Sequence, residues 1–473
     1  MEPDAATSPE QLLALAEQIR QHQPANATIE RVRARALLDL RRPLEALQAC
    51  DEAVRLDAGN LTAHATRGEA LIELGRHEEA LDAYAQVLRI DPRCAPALYN
   101  RVQALVRLDE TRPCDETLLC ALRELEQLLA LEPQYPGARR IHGSMLKQLG
   151  RLDEAVASLQ EAIHVSPADQ DAHYGLAECR ILVGDWPWGW QKFDEHRKHP
   201  QPDAGARQAW DDAIAHASVW RGQPLAGKSI LVVSDGGLGD TLNFYRYIPL
   251  MRTMGAARVS VSVQQPLQPL LYKDVSGSST AGGAGQAPPD YYVRMMSLPA
   301  AFGTATDTVP AVGDSIRADA AKADRWRGRL ASLQARQPKL RVGLAWSGNP
   351  AHLNDHNRSL RLSQLASLFD VPGIAWCSLQ QVVRGADRDT LATLPQLAFF
   401  GDELRDFGDT AALCEAMDLV VTVDTSIAHL AGVLGKPVWI MLPAMPDYRW
   451  MLSRDDTPWY PTARLFRQAR RTE

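Results

Sequence analysis

Two stretches decide the reading of the first two hundred residues: GEALIELGRHEEALDAYAQVLRIDP at 68–92 and GSMLKQLGRLDEAVASLQEAIHVSP at 143–167. In the first, Ala80 follows Gly68 by twelve positions and Pro92 follows it by twenty-four. In the second, Ala155 and Pro167 stand at the same offsets from Gly143. Small residues at these places let two helices approach closely, and proline stops the second helix before the next begins. Gly68 and Gly143 are 75 residues apart, two periods of 34 with an excess of seven. Pro133 precedes Pro167 by 34, so the excess is assigned to LDETRPCDET, Leu108 to Thr117, which is expected to interrupt the turn of the middle copy.

Working outward, an earlier copy starts near Ala27, with Ala34, Ala46 and Ala53 in the small-residue places. A later copy runs from Gln170 through GLAECRILVGDWPWGWQKFDEH. These residues resemble the tetratricopeptide repeat, in about five copies across 27–203, preceded by a helical segment at 1–26. Such arrays stack into a superhelix whose concave face binds peptides or protein segments. The blander alternative is an array that serves oligomerisation, or packs only on its own C-terminal part. Trp186, Trp188 and Trp190 in the last copy are expected to form a cap on the next domain.

After His199 the periodicity changes. A turn-rich linker at 204–220 leads into short apolar runs alternating with helical stretches, the pattern of α/β construction with parallel sheets. A first lobe is expected at 221–318, an inter-lobe helix at 319–337 and a second lobe at 338–473, with a ligand cleft between the lobes. The glycine-rich stretch at 274–290 reads as a surface loop of the first lobe. At 473 residues, two or three domains are expected. The net charge of −7 offers no global attraction for nucleic acid or anionic membranes. Cys50, Cys94, Cys114, Cys120, Cys179, Cys377 and Cys414 form no CxxC pair, which fits a reducing cytosol. No signal peptide is read at the N-terminus, and the most apolar stretch, Leu419 to Pro443, is broken by Asp424, His429 and Lys436. A cytoplasmic protein without a membrane span is expected.

Three blocks carry candidate chemistry. In VVSDGGLGDTLNFYRYIPLM, a strand ends in Gly236, Gly237 and Gly239 before a helix. The glycines allow positive φ and close approach of a substrate, and the helix start favours negative charge. This is not a GxGxxG match, and no acid is placed for a dinucleotide ribose. Asp240 either caps that helix or projects as a general base. In MDLVVTVDTSIAHLAGVLGKPVWIMLP, a strand turns at Asp424, Thr425 and Ser426 into a helix whose start suits a diphosphate; plain capping by Asp424 or Ser426 is the alternative. His429 lies one turn inside, where a lone histidine is more often structural. In GLAWSGNPAHLNDHNRSLRL, Ser347, Gly348 and Asn349 follow a strand and offer donors to an anion, and Arg358 offers a planar fork. His352 and His356 have no acidic partner at metalloprotease spacing, so no zinc or other metal site is read. There is no nucleophile elbow, Walker loop or kinase signature either.

Together with DLVVTVDTSIAHLAGVLGKPVWIMLPAMPDYRWMLSRDDTPWYP, these blocks are similar to a bacterial family in which tetratricopeptide repeats precede a glycosyltransferase-B domain. Its catalytic half is related to the ADP-heptose lipopolysaccharide heptosyltransferases; some members with this architecture glycosylate flagellin, and the plan resembles the protein O-GlcNAc transferases. The resemblance implies an all-α solenoid followed by a two-lobed α/β glycosyltransferase-B fold. It implies Asp240 as base, and Ser347, Gly348, Asn349, Arg358, Gln380, Asp424, Thr425, Ser426 and His429 facing a nucleotide-sugar donor. It further implies no cofactor and no metal; the family's usual terminal helix crossing back to the first lobe is a departure here, where the sequence reads LFRQARRTE just after the WYP block. The expected function is inverting transfer of a sugar to a protein acceptor held by the array. The rival expectations are a non-catalytic scaffold with a vestigial cleft and a transferase acting on lipopolysaccharide. Homo-oligomerisation is compatible with either.

Overall fold

The computed structural model describes residues 8–197, 214–271, 288–313, 315–333, 340–352 and 354–471. Most of the glycine-rich loop at 274–290, the first half of the linker at 204–220, the first seven residues and positions 334–337 of the inter-lobe segment lie outside them. The chain divides into two compact units, one ending at Asp169 and the other beginning at Gln170.

The first unit is a run of antiparallel helix pairs. Helix α1 (Pro9–His22) opens on a capping box in which Ser8 and Gln11 satisfy each other's backbone N–H. Four pairs follow: α2 (Ala27–Asp39) with α3 (Pro43–Leu56), α4 (Leu61–Glu73) with α5 (His77–Ile90), α6 (Ala95–Thr111) with α7 (Asp115–Leu131), and α8 (Ala138–Gln148) with α9 (Leu152–Val165). Ala34, Ala46, Ala53, Ala80 and Ala155 are fully buried where the helices cross. Glycine goes further. A Cβ on Gly68 would stand 2.5 Å from the Tyr84 ring, and one on Gly143 would stand 2.6 Å from Leu159. The repeat's small residue is therefore the socket for a large side chain of the partner helix. The seven extra residues do not interrupt the turn as expected. Helices α6 and α7 have 17 residues each, against 13 in α4 and 14 in α5, and the increments account for the excess. Adding residues to both helices keeps their backbone groups paired, whereas a longer turn would leave them to solvent.

The second unit begins with one more hairpin, α10 (Gln170–Leu182) and α11 (Trp186–His196). Its tryptophans pack as an aromatic wall on the α/β part of the same unit. Trp186 stacks on Trp459 with centroids 5.0 Å apart, and Trp190 stands edge-on to Phe244, Tyr448 and Trp459. Trp188 is half-exposed, with the Arg180 guanidinium over its ring. Two parallel sheets follow. The first has the order β1 (Ser218–Val219), β4 (Tyr291–Arg294), β2 (Ser229–Val233), β3 (Arg258–Ser262). The second has the order β10 (Ala463–Arg467), β9 (Val438–Leu442), β8 (Leu419–Val423), β5 (Leu340–Ala345), β6 (Ile374–Ser378), β7 (Leu397–Ala398). Residues after the WYP block thus add an edge strand, β10, paired with β9. Strand order reverses between β2 and β4 in the first sheet and between β5 and β8 in the second. Parallel α/β sheets open a crevice at such switch points, beyond the carboxyl ends of the strands. The loops after β2, β5 and β8 are the three blocks singled out in the sequence.

Gly68→Ala and Gly143→Ala will each destabilise the helical unit by about 1–3 kcal/mol, because the added methyl overpacks a filled socket. Urea unfolding followed by helical circular dichroism measures this; unchanged midpoints would show that Tyr84 and Leu159 give way freely.

Candidate functional site

The glycine loop leaves β2 and enters helix α12 (Leu238–Phe244). Asp240, the third residue of this helix, accepts a hydrogen bond on Oδ2 from the Gly237 N–H at 2.6 Å, so the capping alternative is realised. Its other oxygen receives the guanidinium of Arg449, which comes from the segment after β9. Gly236, Gly237 and Gly239 do not adopt positive φ, contrary to the first expectation. They are needed for approach. A Cβ at Gly236 would lie 2.6 Å from Asp240 Oδ2, and one at Gly239 would lie 2.6 Å from His429 Cδ2. Gln264 fixes the loop by donating to the Gly236 carbonyl at 2.8 Å and accepting from the Thr241 hydroxyl at 3.0 Å.

Across from it, β8 runs into helix α13 (Ser426–Val433). The cap is Thr425, not Asp424 or Ser426: its hydroxyl accepts from the Ile427 N–H at 3.2 Å. Asp424 is buried just before the cap. Burial and the nearby Asp447 carboxylate push its pKa up to about 6, against the pull of Arg358. His429 is buried on the helix face that meets Gly239 and stacks on Trp450 at 5.3 Å. Burial, with Arg449, Arg246 and Arg358 nearby, holds its pKa well below the usual histidine range, so the ring is neutral at pH 7. Its Nδ1 lies 2.8 Å from the Tyr460 hydroxyl, which donates to Asn243 Oδ1 at 2.9 Å. Gly432 makes room for this, since a Cβ there would lie 2.4 Å from the Tyr460 ring.

The loop after β5 is held from within. Gln380 Oε1 accepts from the backbone N–H groups of Trp346 and Ser347 at 2.8 and 3.1 Å. Its Nε2 donates to the Ser347 hydroxyl and to the Val382 carbonyl. With both lone pairs and both hydrogens engaged, Gln380 shapes this loop instead of facing a ligand, and Ser347 is likewise tied inward. The Gly348 N–H donates to the Ser359 hydroxyl, and its carbonyl accepts from Arg384. Asn349 is exposed and caps its own turn through the Ala351 N–H. Arg358 is different. Its guanidinium lies against Gly348, where a Cβ would be 3.0 Å from Nη2, and its nearest carboxylate, Asp355, is 3.8 Å from Nε. Nε is buried without a hydrogen-bond partner. A largely buried cation so placed suits an anion.

Residues the sequence reading passed over complete the site. Arg449 is buried and bridges Asp240 and Asp447; burial opposes its charge, yet these two carboxylates hold its pKa well above the ordinary arginine value. Arg246 is buried with no carboxylate partner among the described residues. It donates to the carbonyls of Asn243, Pro310 and Trp459 and to Asn243 Oδ1, with Trp459 and Tyr460 over its faces. Their signal was an arginine inside an aromatic run, NFYRY and DYRWM, where an uncompensated charge would be expelled. Asp240, His429 and Arg358 thus converge on one region, while Asn349 is exposed. Among the described residues, no group of three or more His, Cys, Asp and Glu side chains is arranged as metal ligands. No helix among them is long and apolar enough to cross a membrane.

Comparison with known proteins bears on the helical half. Tetratricopeptide repeat models match residues 4–60 and 37–106, and a further TPR repeat model matches 143–179. The array is built of tetratricopeptide repeats. Protein FlbA of Caulobacter vibrioides is 23% identical over 391 residues, covering 74% of this chain. The chain spans 62% of that relative's length. Since α11 ends at His196, an alignment of this extent includes residues of the α/β part. Among solved structures, a MamA fragment from Desulfovibrio magneticus RS-1 is 22% identical, covering 36% of this chain and 92% of its own, with TM-score 0.33. The thermophilic TPR protein TTC0263 of Thermus thermophilus is 26% identical, covering 37% and 91%, with TM-score 0.30.

The raised pKa of Asp424 has a sign in stability. A carboxyl whose folded pKa, about 6, exceeds its unfolded value, near 3.9, binds its proton more tightly when folded. The contribution is full below about pH 4 and is lost as pH rises through about 6. Asp424→Asn will therefore melt above the wild type at pH 7 to 8, with the gap closing by about pH 4. Calorimetric melting of both proteins across this range checks it; a gap independent of pH would refute the assignment.

Proposed function

We propose that the protein is a metal-independent, inverting glycosyltransferase of the glycosyltransferase-B type, with a protein acceptor held by the tetratricopeptide array. The observation that supports this reading best is the convergence of three loops at the switch points of two parallel sheets. They bring Asp240, the neutral His429 and the Arg358 guanidinium to one region. A nucleotide-sugar diphosphate would lie between the start of α13 and Arg358. An acceptor hydroxyl would attack the anomeric carbon as its proton passes to Asp240, which keeps a second lone pair on each oxygen. The anomeric carbon–oxygen bond would break with its electron pair on the departing diphosphate, whose charge Arg358 and the helix dipole stabilise. Flagellin is the acceptor class that the sequence resemblance suggests. The array supports a polypeptide acceptor over lipopolysaccharide, since such repeats typically bind protein segments.

A second reading, a scaffold with an idle cleft, draws on one observation: both oxygens of Asp240 are engaged, one by Gly237 and one by Arg449. Asp240→Asn separates the two. As a general base, Asp240 contributes at least about 100-fold to turnover. The variant should lose that much transfer activity with purified acceptor while binding nucleotide-sugar as the wild type does. Full transfer activity in Asp240→Asn would rule out the base; no nucleotide-sugar binding by the wild type in calorimetry would favour the scaffold.

A further inference from the structure

The chain of contacts from Arg246 through Asn243 and Tyr460 to His429 has a direction. Asn243 Oδ1 accepts from Arg246 Nη2 at 3.0 Å, and a guanidinium can only donate, so this atom is the amide oxygen. It also accepts from the Tyr460 hydroxyl at 2.9 Å, which uses that hydroxyl's one hydrogen. Tyr460 therefore meets His429 Nδ1, 2.8 Å away, with lone pairs only. The hydrogen between them must sit on Nδ1. A neutral imidazole carries one N–H, so Nε2 keeps its lone pair. Among the described residues that atom makes no hydrogen bond; the ring lies against Gly239 through Cδ2, with a Cβ there 2.6 Å from Cδ2 and 3.3 Å from Nε2.

We infer that Arg246, Asn243 and Tyr460 are positioning residues that hold His429 as the Nδ1–H tautomer, so that Nε2 accepts a hydrogen bond from a hydroxyl of the donor sugar. The sugar as partner rests on the glycosyltransferase reading above; the tautomer rests on the hydrogen bonds and on the neutrality of the buried ring. A bare ring-nitrogen lone pair attracts a hydroxyl and repels a phosphate oxygen. It assigns His429 to the sugar end of the ligand and leaves the diphosphate to Arg358. The relay begins just past the end of α12 and ends on α13, so one hydrogen-bond direction links the two sheets' halves of the site.

The test uses the full chain labelled with 15N in histidine, with His429→Gln identifying the His429 signals in long-range 15N–1H spectra. The expected result is a protonated Nδ1 and a bare Nε2 in the wild type, and transfer of the hydrogen to Nε2 in Tyr460→Phe, which removes the acceptor. A protonated Nε2 in the wild type, or an unchanged ring in Tyr460→Phe, overturns the relay; should that variant fail to fold, the wild-type spectrum decides alone. Calorimetry with UDP-glucose, GDP-mannose and ADP-glucose, each beside its nucleoside diphosphate, tests the partner. Tyr460→Phe should weaken the sugar nucleotide that binds by about tenfold, the worth of one hydrogen bond, and leave the diphosphate unchanged. Equal weakening of both overturns the hydroxyl role. The expected tautomer with no binding of any sugar nucleotide would sink the glycosyltransferase reading and leave the relay standing.

Discussion

A guanidinium buried with no carboxylate partner among the described residues is the constraint on which the α/β unit depends. Removing such a charge from water costs several kcal/mol even after the surroundings relax. Arg246 offsets this with carbonyls from three distant places in the chain, at Asn243, Pro310 and Trp459, and with two aromatic faces. Hydrogen bonds to a charged group contribute about 1.5–3 kcal/mol each, so no single one of them is enough. All three segments have to arrive together. Once they do, Trp459 and Tyr460 are fixed against α12, and what leans on them is fixed as well: the aromatic wall on one side and His429 on the other.

The second constraint is steric. Helices α12 and α13 approach closely because Gly239 leaves room for the His429 ring and Gly432 leaves room for Tyr460. Close-packed surfaces of this kind switch between discrete arrangements instead of deforming smoothly. The polar groups here are therefore held at set distances by packing that does not involve them directly. Asp240 is an example. Its place comes from the turn at Gly236 and Gly237, and its orientation from Arg449, a residue 209 positions later.

The helical half was legible because its determinants are local and periodic. Gly68, Ala80 and Pro92 act on neighbours within one helix pair, and the repetition of their offsets excludes accident. The length of α6 and α7 was not legible, since an insertion reads the same whether it lengthens a turn or two helices. In the α/β half, the strand-to-loop transitions showed as apolar runs ending in Gly236, Ser347 and Asp424, and all three fall at switch points. The roles of the side chains there were less visible. Gln380 read as a ligand-facing amide, but its carbonyl is taken by backbone N–H groups of residues more than thirty positions away. Thr425 took the cap from its neighbours for reasons of backbone angle that composition does not encode. Arg246 and Arg449 went unnoticed because their meaning lies in contacts some two hundred residues apart.

The hairpin of α10 and α11 reads as the last repeat by sequence and belongs to the α/β unit by packing. That double membership decides where the protein can be re-engineered. An array of different specificity can be grafted at the junction of Asp169 and Gln170, because the tryptophans then travel with the rings they cover. A cut after His196 would take Trp186 and Trp190 away and leave Trp459, Phe244 and Tyr448 open to water, a sticky face on an otherwise intact module. Modular exchange of recognition arms, by recombination or by design, is thus permitted at one seam and penalised at the more obvious one.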